Sequence, residues 1–170
     1  VIALCLMEGY THVPWDLTLP IFLLNLTGYY LIYLLGTFIF GGVAGGYTFA
    51  TLLFMCCGLA NYCVVSFRSS PIVPWDIYSV RTAVSVADNY HLDISGRLIG
   101  IVIGFLVLVF ISRHLSLRAK KMQIRMAGMV LSVVCLFGYV EAMGNDTVID
   151  SAGLDTTLFT PNVLYRNNGL

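Results

Sequence analysis

The sequence predicts an all-α integral membrane helical bundle, and three observations carry that prediction. No Asp, Glu, Lys, Arg or His occurs from Leu17 to Phe67. The whole chain is 58% hydrophobic and 11% charged, with a mean hydropathy of +0.86, whereas soluble domains run at roughly 45–50% and 25%. Its charges sum to zero but are sorted by sign along the chain, as membrane topology demands. The expected architecture is five spans, the first truncated, plus a short amphipathic helix on the outer surface.

Residues 1–7 are apolar and stop at Glu8-Gly9-Tyr10, which reads as the end of a span, since a whole one needs about 20 residues. Val13-Pro14-Trp15-Asp16 then places a Trp at a membrane boundary and an Asp where it can cap the next helix. The charge-free run that follows would make a helix about 75 Å long, against a hydrocarbon core of about 30 Å. It therefore folds into two spans, over 17–40 and 47–66. The break falls at Gly41-Gly42-Val43-Ala44-Gly45-Gly46, the poorest helix former in the run. Pro20 sits near a helix start, where its missing N–H costs little. Asn25 and Asn61 are expected to hydrogen-bond between helices.

The fourth span is expected over 94–112. Arg97 lies near its outer end, and Gly96, Gly100 and Gly104 recur on one face as a helix-packing ladder. Residues 113–125 then hold Arg113, Arg118, Lys120, Lys121 and Arg125 without one acid, which marks the cytoplasmic side. A last span over 126–140 leads to a polar tail. Alternating from the basic segment puts the glycine turn inside and the outer loop, 67–93, outside. All nine acids then fall outside, which the alternation did not assume. Residues 1–145 are thus read as a transmembrane domain, and 146–170 as an extracellular linker.

Composition excludes a nucleic-acid surface, because no basic patch is interleaved with stacking aromatics. The five cysteines lie in apolar stretches and read as buried hydrophobes. His12, His91 and His114 are scattered over both sides and cannot form one ligand set. Neither a catalytic constellation nor a metal site can be drawn. In the outer loop, Pro71 and Pro74 hold the chain extended, and Asp76 can cap a surface helix over 77–87 whose Ile77, Val80, Val84 and Ala87 share a face. Arg68 and Arg81, with Trp75 and Asp76 beside them, are the candidate contacts to an anionic lipid headgroup, because Arg engages phosphate bidentately.

Three stretches carry a family resemblance: Asn61-Tyr62 with Phe67-Arg68-Ser69-Ser70-Pro71-Ile72-Val73-Pro74-Trp75-Asp76, then Val86-Ala87-Asp88-Asn89-Tyr90, and the tail Phe159-Thr160-Pro161-Asn162-Val163-Leu164-Tyr165-Arg166-Asn167-Asn168-Gly169. They resemble the membrane domain of the lipoteichoic acid synthase and phosphoglycerol transferase family of Gram-positive bacteria, the tail looking like the junction after the last span in clostridial-type members. That resemblance implies a multi-pass protein of the bacterial plasma membrane with its C-terminus extracellular. Its partners would be membrane lipid, phosphatidylglycerol above all, and its own downstream extracellular domain. That domain, of the alkaline phosphatase and sulfatase type, would use a threonine nucleophile and a divalent metal, manganese or magnesium, to transfer glycerol phosphate. None of its catalytic residues falls within this chain. Two other readings stay open: a small transporter or flippase, and a cell-envelope sensor or assembly subunit.

Overall fold

The structure, a computed structural model, describes residues 1–10, 17–72, 76, 78, 94–115, 117–118, 121–156 and 161–169, the side chains of Arg68, Pro161, Asn162 and Tyr165 excepted. Among the described residues seven helices follow in order: α1 (Ile2–Glu8), α2 (Leu19–Phe40), α3 (Val43–Arg68), α4 (Gly96–Ser112), α5 (Met122–Met143), α6 (Asp146–Ala152) and α7 (Pro161–Asn168). Among the described residues there is no strand. Helices α2, α3 and α5 are long and apolar enough to cross a membrane; α4 is apolar but only 17 residues long, and α1 has 7. The molecule is a helical membrane protein with three such helices among the described residues, where five spans were expected.

Glycine sets the α2–α3 turn, but over fewer residues than expected. Gly41 takes a left-handed φ of 68°, its N–H and that of Gly42 return to the carbonyls of Phe38 and Thr37, and α3 starts at Val43. These two bonds satisfy the last carbonyls of α2 in two residues, so Gly45 and Gly46 are free to join the next helix. Gly46 there permits a close approach: an added Cβ would run into the backbone of Gly36 and Thr37 on α2. The last long helix also starts early, at Met122 instead of Met126. Arg125 in its first turn reaches back to the carbonyls of Phe38 (3.4 Å) and Ile39 (2.7 Å), placing a cation at the negative end of α2.

Helix α2 packs against α3 on one side and α5 on the other, α4 packs on α3, and α1 lies against α4, α3 and α2. The core gathers Leu4, Met7 and Tyr10 from α1 and the turn after it, Tyr29 from α2, Ala50 and Phe54 from α3, and Leu98, Ile101 and Phe105 from α4. Tyr29 and Phe54 stack at 4.2 Å, a pairing worth about 1 kcal/mol beyond the area it buries. Helix α5 joins α2 antiparallel through two reciprocal contacts. Phe38 lies against Gly128, and Tyr139 lies against Gly28, its hydroxyl donating to the Leu24 carbonyl at 3.1 Å.

The polarity is that of a bundle in lipid. Large apolar side chains cover the outside, Phe137 at 70% and Phe110 at 66% exposed, while Glu8, Thr51, Asn61, Ser112 and Ser132 are buried. The cysteines follow the same rule and correct the expectation that they are buried. Cys56, Cys57 and Cys135 are exposed, and Cys5 and Cys63 are half-buried. Hydrocarbon outside the bundle accepts a thiol as readily as the interior does, so burial is not required.

The two ends of the bundle differ. At one, the basic segment closes over the glycine turn: Gly42 and Arg118 pair as an antiparallel bridge, and the Val43 N–H donates to the Leu117 carbonyl at 2.9 Å. At the other end lie Tyr10, the start of α2, the end of α3, the start of α4, and the docked tail. The alternation read from the charges requires this grouping of loops.

Candidate functional site

The opposite end carries the stretch with predicted headgroup contacts. Arg68 closes α3, and Ser69 after it takes a left-handed φ of 57°. Asp76 is half-buried, and Tyr78, within the expected surface helix, is 90% exposed. Trp75 and Arg81 lie outside the described residues, as does the surface helix apart from Tyr78. The departing chain is held by Asn61, which is 1% exposed: its Oδ1 accepts the Ile72 N–H at 2.9 Å. Its Nδ2 is buried with no hydrogen-bond partner among the described residues, as is the Tyr10 hydroxyl. Burial pushes the Tyr10 phenol up to about 12, so it stays neutral at ordinary pH.

The tail returns to this same end. Asn168 on α7 clamps Asp155 with its side chain, Oδ1 accepting the Asp155 N–H at 2.8 Å and Nδ2 donating to its carbonyl at 2.6 Å. Asn167 Nδ2 donates to the Asp155 carboxylate at 2.9 Å. The Asn168 carbonyl in turn accepts from Asn25 Nδ2 at 2.7 Å. Gly169, at φ 89°, fits because it has no side chain: an added Cβ would lie 2.8 Å from Glu8 Oε1 and would collide with the Asn25 amide.

Asn25 and Asn61 were expected to hydrogen-bond between helices. Asn25 does so, from α2 to Asn168 of α7, whereas Asn61 holds the loop after α3. Sequence reasoning missed Glu8 as a buried group, because at the end of a short apolar stretch it looked like a boundary charge. The cue available was its position just ahead of Gly9 and Tyr10, which turn back into the core.

Among the described residues, one of the three ladder glycines meets a neighbour. Side chains added at Gly96 or Gly100 would meet no described atom within 4 Å, whereas one at Gly104 would press on Leu6 of α1. Arg97 is exposed. Among the described residues no three His, Cys, Asp or Glu side chains converge as a metal site.

Toward the basic end lies a cavity of about 370 Å³, walled by Ile2, Tyr29, Tyr33, Thr51, Leu108 and Ser112 among others. Its size is that of a ligand pocket. Three of its hydroxyls are hydrogen-bonded within the protein: Tyr33 and Thr51 pair at 2.8 Å, and Ser112 pairs with Thr48 at 2.8 Å and also donates to the Val109 carbonyl; Tyr29, Tyr30 and Tyr47 line it as well, as do Val1 and Ala3. No protein-family model matches this chain, and neither a curated protein nor a solved structure matches it significantly.

Proposed function

We propose that this chain is the five-span membrane domain of a phosphoglycerol transferase-like enzyme that acts outside the cell, anchoring that enzyme and presenting its lipid substrate. One observation supports the reading above others. The loop start at 67–72 and the tail at 161–169, two of the stretches that carry the resemblance, lie at the same end of the bundle, held there by Asn61 and Asn25 respectively. An extracellular domain entered through such a tail would stand over the lipid headgroups of that leaflet. In this reading Arg68, Trp75, Asp76 and Arg81 meet an anionic headgroup such as that of phosphatidylglycerol. The divalent metal and the threonine nucleophile belong to the downstream domain.

Extending the reading frame past Leu170 tests this. A phosphatase-type domain is expected there, with glycerol phosphate transfer by the extended protein and none by residues 1–170. A downstream sequence without such a domain, or turnover of phosphatidylglycerol by the isolated chain, overturns the reading. Headgroup recognition has its own check. Arg68→Ala and Arg81→Ala should each weaken phosphatidylglycerol binding in nanodiscs by about tenfold, the loss of one charge-assisted contact; unchanged affinity in both removes that part of the proposal.

A further inference from the structure

An asparagine followed by glycine is a self-reactive pair at neutral pH. The next residue's backbone nitrogen can attack the side-chain amide, and glycine has no Cβ to obstruct the approach. The chain holds seven asparagines, and Asn168, ahead of Gly169, is the one that glycine follows.

Both members of the pair lie where the tail meets the bundle. The Asn168 side chain is pinned to the Asp155 backbone through Oδ1 at 2.8 Å and Nδ2 at 2.6 Å, and its backbone carbonyl accepts from Asn25 at 2.7 Å. Gly169 follows at φ 89°, half-buried against Glu8 and Asn25. To meet the Gly169 nitrogen, the Asn168 amide carbon has to swing out of both bonds to Asp155. The seated tail therefore holds the amide back, whereas a released tail leaves it open to attack.

We propose that Asn168-Gly169 is a site of self-modification, guarded while the tail is seated, and that its deamidation makes release of the tail permanent. The Gly169 backbone nitrogen gives up its proton and bonds to Asn168 Cγ. The Cγ–Nδ2 bond breaks, ammonia leaves with that proton, and a cyclic succinimide remains. Water opens the ring at either carbonyl and leaves aspartate or iso-aspartate in place of Asn168; nothing is oxidised or reduced. Both products lose the donor that meets the Asp155 carbonyl and set an anionic oxygen against that acceptor instead. Iso-aspartate also lengthens the backbone by a methylene at the end of α7. A tail that has slipped once and reacted no longer fits its seat, so the joint between bundle and tail opens in one direction. This rests on the tail contacts alone and stands whether or not the outer loop meets a lipid headgroup.

Tandem mass spectrometry of the full chain, incubated for days at neutral pH, tests the proposal, with iso-aspartate counted by enzymatic methyl transfer. In nanodiscs, conversion at Asn168 should be about tenfold slower, or more, than in the same chain unfolded in urea and dodecyl sulfate. It should yield both products and quicken as pH rises, because the attacking nitrogen must lose its proton. The other six asparagines should remain amides over the same period in both states. Asn25→Ala removes the joint to α2 and leaves the bonds to Asp155. It should speed conversion in nanodiscs about fivefold, the factor for one hydrogen bond, with an unchanged rate in the unfolded chain; protease resistance of α2 and α3 reports that the variant is folded. Asn168→Asp should let protease cut within 146–170 about fivefold faster than in the unaltered chain. An Asn168 that survives in the unfolded chain overturns the site. Equal rates in nanodiscs and in the unfolded chain, or no response to Asn25→Ala, overturn the guard. A tail as well protected in Asn168→Asp as in the unaltered chain overturns the permanence.

Discussion

Asn168 is the residue through which the tail is held. Its side chain closes a ring with the Asp155 backbone while its backbone carbonyl accepts from Asn25, so a substitution removes the turn within the tail directly and leaves the carbonyl that meets α2 less firmly placed. Asn168→Ala should cost about 1–2 kcal/mol in the turn it closes with Asp155, at about 1 kcal/mol per net hydrogen bond. Limited proteolysis in detergent should then cut within 146–170 about fivefold faster or more, with the helical core intact. Gly169→Ala should give the same phenotype for a different reason, because its methyl group meets Glu8 and Asn25. Unchanged cleavage in both variants would mean that the tail is not held by these contacts. The polarity of Asn25 was plain from the sequence, but its partner was not. An amide inside an apolar run announces a hydrogen bond without saying which segment supplies the other half.

At the scale of elements, α2 and α3 are joined by the closest backbone approach described, where Gly46 meets Gly36 and Thr37. Gly46→Val should destabilise the bundle by about 1–3 kcal/mol, the usual cost of overpacking, measured by thermal or denaturant unfolding in detergent. Gly138→Ala on α5, where an added Cβ meets nothing described within 4 Å, is the control and should not destabilise, raising stability by up to about 1 kcal/mol through helix propensity. Equal effects would show that the approach at Gly46 is not a packing constraint. The helices were legible as apolar runs between Gly, Pro and charges. Their neighbours were not, because a lipid-facing and a helix-facing surface are equally apolar and hydropathy cannot tell them apart. The regular spacing of Gly96, Gly100 and Gly104 pointed to a packing face, yet Gly28 and Gly128, which each receive a ring, belong to no such four-residue repeat.

For the whole molecule, the sorted charges carry the orientation, and the contact of the glycine turn with the basic segment makes that orientation testable at two sites. With the five native cysteines replaced, Ser151→Cys should react with a membrane-impermeant maleimide on intact cells, and Leu117→Cys only after permeabilisation. The reverse pattern would invert the topology and with it the proposed extracellular tail. Sequence alone also foresaw which loops share an end, since alternation across a bilayer leaves little choice. It did not foresee that α5, the last long helix, lies beside α2 instead of α4, nor that α1 lies among three helices, because lateral order depends on shape. The two ring-on-glycine contacts between α2 and α5 act as the pins of a jig, set about 15 Å apart along each axis. Adding or deleting one residue between Gly28 and Phe38, or between Gly128 and Tyr139, would swing one pin about 100° off its hole. Those two intervals are therefore the lengths this protein cannot change one at a time, while the loops beyond them are at liberty to grow.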